Sequence, residues 1–89
     1  MQHGILLIQN KLGLHARAAM KLITLADKFQ SRIDILYKSR TVDAKDIMAV
    51  LALGAMHNTQ IEFQIEGNDE VEAYQALEKL FNDKFGEAE

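Results

Sequence analysis

Ile61-Glu62-Phe63-Gln64-Ile65-Glu66-Gly67-Asn68-Asp69-Glu70-Val71-Glu72 is the stretch from which the fold can be read. Apolar β-branched and aromatic residues alternate with polar ones, the period of a strand that buries one face and wets the other. Gly67-Asn68 turns the chain. Asp69 and Glu72 have the spacing of a capping box, so a helix is expected to begin here. Its apolar positions Val71, Tyr74, Leu77, Leu80, Phe81 and Phe85 predict about four turns, closed by Gly86.

Upstream, Ile5-Leu6-Leu7-Ile8 is a short apolar run that predicts a strand, and polar Gln9 to Gly13 predicts a loop. From Ala16 to Lys28, the residues Ala19, Leu22, Ile23 and Ala26 recur at helical spacing. Ile33, Ile35 and Tyr37 mark a second strand. Lys38-Ser39 is read as a tight turn, with Arg40 to Val42 returning as a third strand. A short helix is expected from Asp46 to Leu53, stopped by Gly54. The order β-α-β-β-α-β-α predicts an α+β fold: a two-layer open-faced sandwich with a four-stranded, mainly antiparallel sheet. Three helices cover one face, and Asp34, Glu62, Gln64 and Glu66 look into water from the other. Residues 1–89 are expected to form a single domain. The tail Glu87-Ala88-Glu89 is expected to fray.

Composition narrows the function. Ten basic and 13 acidic residues among 89 give a net charge of −3. That argues against a nucleic-acid binder, which would need a basic face to displace counterions. The absence of cysteine excludes disulfides, thiolate metal sites and thiol nucleophiles. His3, His15 and His57 lack ligand spacing, so no metal and no cofactor are expected. No apolar run approaches the ~18 residues of a membrane span. The short segment before Ile5 does not read as a signal peptide. A cytoplasmic, soluble protein is expected.

One segment breaks a local rule. Gly13-Leu14-His15-Ala16-Arg17-Ala18-Ala19 puts a histidine just before a helix and an arginine in its first turn. Helix N-termini carry unpaired N–H groups and the positive end of the dipole, so cationic side chains are misplaced there. Such violations are expected at functional sites. An incoming oxyanion would receive backbone donors, the dipole and a guanidinium together. The dipole also disfavours imidazolium, leaving a neutral ring nitrogen able to attack phosphorus. Taken alone, the segment also has a plainer and commoner reading, a surface loop histidine beside a solvated arginine.

Asn10-Lys11-Leu12-Gly13-Leu14-His15-Ala16-Arg17-Ala18-Ala19 resembles the active-site segment of the HPr family of histidine phosphocarriers. Asp43-Ala44-Lys45-Asp46-Ile47-Met48-Ala49-Val50-Leu51-Ala52-Leu53-Gly54-Ala55 resembles the family's second signature. Glu66-Gly67-Asn68-Asp69-Glu70 matches as well, so the resemblance runs over essentially the whole chain. It implies that His15 accepts a phosphoryl group on Nδ1 from an Enzyme I-type protein, with phosphoenolpyruvate as source. His15 would then pass it to a IIA-type acceptor. Arg17 would hold the phosphoryl oxygens, and the backbone N–H groups of Ala16, Arg17 and Ala18 would add donors. On this reading the protein is a carrier and not an enzyme, with no turnover alone, and is expected to be a monomer.

Two positions depart from the family pattern. Ala18 replaces a usual proline, which implies a looser first turn. Asp46 replaces a serine that many relatives use for regulatory phosphorylation, and on its own chemistry it is an acidic cap. Beside His15, an apolar docking patch is expected from Leu14, Met20, Ile47, Met48 and Leu51, with Lys21 and Lys45 at its border. The alternative for Ile47 and Met48 is ordinary core, and the resemblance favours docking. Thr24, Asp27 and Ala49 stand where sugar-system carriers tend to have lysines, leaving Lys21, Lys28 and Lys45. The run His15-Ala16-Arg17-Ala18-Ala19-Met20-Lys21-Leu22 is more similar to the nitrogen-related, regulatory branch, with a sugar-uptake carrier as the alternative. A third reading, of another class, is an anion-sensing binding module that transfers nothing.

Overall fold

A computed structural model describes the whole chain, Met1–Glu89. The alternating stretch is β4, Gln60–Glu66, and it lies in the middle of the sheet. Ile61, Phe63 and Ile65 are fully buried beneath the helices while Glu62 and Gln64 are half-buried on the opposite face. β4 pairs antiparallel with β1, Gln2–Leu7, and with β2, Arg32–Tyr37. β2 in turn pairs antiparallel with β3, Arg40–Asp43, so the sheet order is β1-β4-β2-β3. Helices α1 (Ala16–Ala26), α2 (Ile47–Ala52) and α3 (Glu70–Asn82) complete the expected open-faced sandwich. None of them is long and apolar enough to cross a membrane.

The differences from the expected boundaries have local causes. β1 begins at Gln2 and ends at Leu7 because pairing with β4, from Gln2 opposite Ile65 onward, defines it better than hydrophobicity does. Gly4 belongs in this strand because Tyr74 lies over it; a Cβ there would come within 2.1 Å of the Tyr74 hydroxyl. α1 stops at Ala26, two residues early, as the Lys28 and Phe29 amides bond to the Leu25 and Ala26 carbonyls and tighten the chain. The β2–β3 turn holds Lys38 and Ser39 both at positive φ, the backbone that lets a two-residue hairpin follow the sheet twist. Asp46 caps α2 as expected, accepting from the Met48 and Ala49 amides at 3.1 and 3.3 Å.

The capping box at α3 is not formed. Asp69 precedes the helix but makes no cap bond. Its carboxylate accepts instead from the amides of Gln30 and Ser31, both at 2.9 Å, and from the Ser31 hydroxyl. Ser31 is fully buried beside Gly67, and its donors would be orphaned without this acceptor. Glu70, not Glu72, reaches back to the Gly67 amide, at 3.2 Å. The Ser31 hydroxyl and then the Gln30 amide hold the Asp69 carboxyl below its ordinary value. A depressed carboxylate stabilises the fold above its unfolded value and loses that contribution as pH falls through the folded one. Asp69→Ala should therefore lower Tm by several degrees at neutral pH, whereas Glu72→Ala should leave it nearly unchanged. The wild-type advantage should fade below about pH 4. Equal losses for the two variants would restore the capping box.

α3 is also shorter than its apolar pattern predicts. It ends at Asn82, and a 3₁₀ turn spans Lys84–Gly86. Lys84 and Phe85 take left-handed backbone, with φ of 56° and 55°, which swings the Phe85 ring back into the core. There it packs at a tilt against Phe81, with ring centroids 4.8 Å apart, and Phe81 in turn meets Phe63 edge-on at 5.6 Å. Burial of this ring outweighs the strain of two non-glycine residues in the left-handed region. The reversal aims the tail toward α1, so Glu87-Ala88-Glu89 does not fray: the Lys11 amide donates to the Glu89 carbonyl at 2.7 Å, and Glu87 is half-buried.

Candidate functional site

The loop before α1 is set by Gly13, at φ +70°. A Cβ there would lie 2.9 Å from the Ala55 carbonyl oxygen, so the loop can close on the segment after α2 only through glycine. The Leu14 amide bonds to that same carbonyl at 2.9 Å, and Leu14 inserts into the core. This fixes the next residue, His15, as the N-cap of α1, with φ −74° and ψ 178°.

His15 caps with its ring. Nδ1 accepts the Arg17 amide at 3.3 Å, where a serine or aspartate oxygen would ordinarily sit. Nε2–H donates to the Glu87 carboxylate. These partners define the tautomer: the proton is on Nε2 and the lone pair is on Nδ1, at the positive end of α1. The amides of Ala16 and Ala18 make no backbone hydrogen bond, and the Arg17 guanidinium forms no ion pair. Three unspent donors thus lie with this nitrogen at the start of α1, an arrangement suited to an oxyanion. A surface hollow of about 490 Å³ opens here, lined by Lys11, Leu12, His15, Arg17, Glu87 and Glu89.

Glu87 is the residue that sequence reasoning missed. Its other carboxylate oxygen accepts from Asn10 Nδ2 at 3.1 Å, and the same amide donates to the Gly13 carbonyl at 2.6 Å. Partial burial pulls the Glu87 carboxyl upward. The hydrogen bonds from His15 and Asn10, followed by the electrostatic pull of His15 and then Lys21, outweigh that and hold it below the usual carboxylate range. The available signal was Phe85-Gly86, a large apolar residue and a helix stop just before the tail.

The expected docking residues separate into two groups. Met20 and Met48 are exposed, at 51% and 72%, on helices that pack against each other. Leu14 is only 5% exposed and belongs to the core, because its amide and side chain both anchor the loop. Ile47 and Leu51 are half-buried against the core. Lys21 donates to the Phe85 carbonyl at 2.6 Å and Lys45 to the Phe29 carbonyl at 2.8 Å, so both ammonium groups tie loops together. Leu12 and Met56, each 71% exposed, add apolar surface that was not anticipated; Leu12 lines the hollow and the Met56 backbone lies against Gly13. His3 lies apart on the open face, paired with Glu62.

An open-faced antiparallel sandwich with a histidine capping its first helix beside a free arginine is the architecture of a small histidine carrier domain. The comparisons agree. The family profile described as PTS HPr component phosphorylation site matches residues 4–83. The phosphocarrier protein HPr of Xylella fastidiosa strain 9a5c is 49% identical over 82 residues, 92% of each chain, and that of Cupriavidus necator is 46% identical over the same share. The HPr crystal structure from Thermoanaerobacter tengcongensis superposes over 100% of both chains with a TM-score of 0.96 at 39% identity. A structure described as an HPr dimer from the same organism has a TM-score of 0.76 at 41% identity, over 98% of this chain and 100% of that one. The chain belongs to the HPr family of phosphocarrier proteins of the phosphotransferase system.

Proposed function

We propose that the protein accepts a phosphoryl group on His15 Nδ1 from an Enzyme I-type donor, with phosphoenolpyruvate as source, and delivers it to a IIA-type acceptor. The observation that carries this reading is the Nδ1 lone pair facing the α1 N-terminus beside the unpaired Arg17. Nδ1 is already where an anionic cap would sit, so the phosphoryl oxygens would inherit the Ala16, Arg17 and Ala18 amides. The partners supply the alignment; the carrier alone turns nothing over. It works in the cytoplasm as a monomer. Incubation with phosphoenolpyruvate and Enzyme I, followed by mass measurement, tests the assignment, and an unchanged mass would leave the anion-sensing reading.

The nitrogen-related, regulatory branch is the role we favour over sugar uptake. Thr24, Asp27 and Ala49 replace expected lysines, and Lys21 and Lys45 are both engaged by backbone carbonyls, which leaves fewer free cations around His15. Asp46 offers no hydroxyl to a serine kinase. Faster phosphorylation by an Enzyme I of the sugar system than by a nitrogen-related one would reverse this choice.

Partners dock, in this reading, on Met20 and Met48 with Leu12 and Met56, bordered by Ile47, Leu51 and the stems of Lys21 and Lys45. Exposed methionines suit more than one partner. Met48→Ala should cost less than about 0.5 kcal/mol of stability, as surface changes do, yet raise the KM for the carrier several-fold. A loss of about 2–5 kcal/mol with unchanged kinetics would make Met48 core.

A further inference from the structure

We propose that Glu87 is a positioning residue for phosphoryl transfer, holding the His15 ring through Nε2 so that Nδ1 is presented to the incoming group. The inference rests on the carrier reading above and extends it to the tail. The geometry is a continuous chain of bonds. The Gly13 carbonyl and one Glu87 oxygen both accept from Asn10 Nδ2, at 2.6 and 3.1 Å, and the other Glu87 oxygen accepts from His15 Nε2–H. Asn10 is fully buried, so this anchor has little freedom. The tail is brought here by Phe85, whose ring is buried and whose carbonyl is bound by Lys21.

The chemistry gives the carboxylate a task at each stage. In the resting ring it keeps the proton on Nε2, because a proton on Nδ1 would occupy the attacking lone pair. During transfer, the Nδ1 pair forms a bond to phosphorus. The bond from phosphorus to the donor atom breaks, and its electron pair leaves on the donor. The ring becomes cationic and keeps its Nε2 proton, so no proton has to depart, and Glu87 faces the new positive charge directly. Transfer to the acceptor returns the ring to the neutral Nε2–H form. The carboxylate sits on the opposite side of the ring from the phosphoryl group, while Arg17 and the helix amides face the phosphoryl oxygens, which separates the two negative charges.

The test compares wild type, Glu87→Ala and Glu87→Gln by single-turnover phosphorylation with Enzyme I and phosphoenolpyruvate, and by ¹⁵N spectra of the His15 ring. Glu87→Ala should lower the transfer rate constant at saturating donor about tenfold, the scale of losing one charge-assisted hydrogen bond, with KM little changed and Tm retained. Its ring spectrum should show mixed tautomers. Glu87→Gln keeps an acceptor for Nε2–H and should recover the Nε2–H spectrum and part of the rate. A wild-type rate and spectrum in Glu87→Ala would overturn the proposal, as would a raised KM at unchanged rate, which would make Glu87 a docking residue. Wild type that takes up no phosphoryl group would instead overturn the carrier reading, and the ring spectra would still report whether Glu87 sets the tautomer.

Discussion

His15→Ala should abolish phosphoryl uptake entirely in a phosphoenolpyruvate-driven assay, while His3→Ala and His57→Ala retain it. The expectation comes from what each ring faces. His15 presents Nδ1 to the N-terminus of α1 beside Arg17. His3 is on the open face of the sheet against Glu62, where a carboxylate would repel a phosphate. His57 is exposed on the turn before β4 and caps no helix. The alanine change at 15 removes the ring cap as well as the nucleophile. A cap is worth about 0.5–2 kcal/mol, so the variant should still fold, and a melting curve separates lost chemistry from lost structure. The wild-type adduct should be acid-labile and base-stable, as a phosphoramidate is. A folded His15→Ala protein that still gains a phosphoryl group would move the site elsewhere.

The legible parts of this protein are those where one local rule acts alone. β4 could be read because half-burial imposes a period of two, and Asp46 could be read as a cap because no competing donor lies nearby. Gly54 takes the left-handed backbone expected of a helix stop, and Gly13 takes it within the expected loop. The misread parts are those where a distant partner outbids a local one. Asp69 abandons α3 for Ser31, far away in sequence, because buried donors cost more than an uncapped helix start. Phe85 follows the helical spacing of Leu77 and Phe81 but reaches the core by breaking the helix instead. Glu87 is consequently expected to fray with the tail, yet it meets His15. The site shows the same division: His15 and Arg17 betray themselves by sitting at the wrong end of a dipole, whereas nothing within the last residues says which side chain they will meet.

Phe85→Ala should be the most damaging core substitution for the site, at a cost of about 3–5 kcal/mol in stability. The ring is fully buried and packs on Phe81, which packs on Phe63 of β4. For a domain of this size that loss corresponds to a Tm decrease of roughly 15–30 °C, a large part of the roughly 5–15 kcal/mol that holds such a domain folded. The variant should also alter chemistry where it remains folded. Without the ring in its socket, the left-handed backbone at Lys84 and Phe85 has no compensation. The 3₁₀ turn should then relax, and Lys21 should lose the Phe85 carbonyl. Glu87 would leave His15, so the ring spectrum should resemble that of Glu87→Ala even at temperatures well below the new melting point. Phe63→Ala makes the decisive comparison, since it opens a core cavity without touching the tail. If both variants lose stability but only Phe85→Ala shows mixed His15 tautomers, the aromatic hook is what delivers Glu87 to the site. If the two spectra match each other and wild type, the tail is held by its hydrogen bonds to Asn10, Lys11, His15 and Lys21, and Phe85 serves only the core.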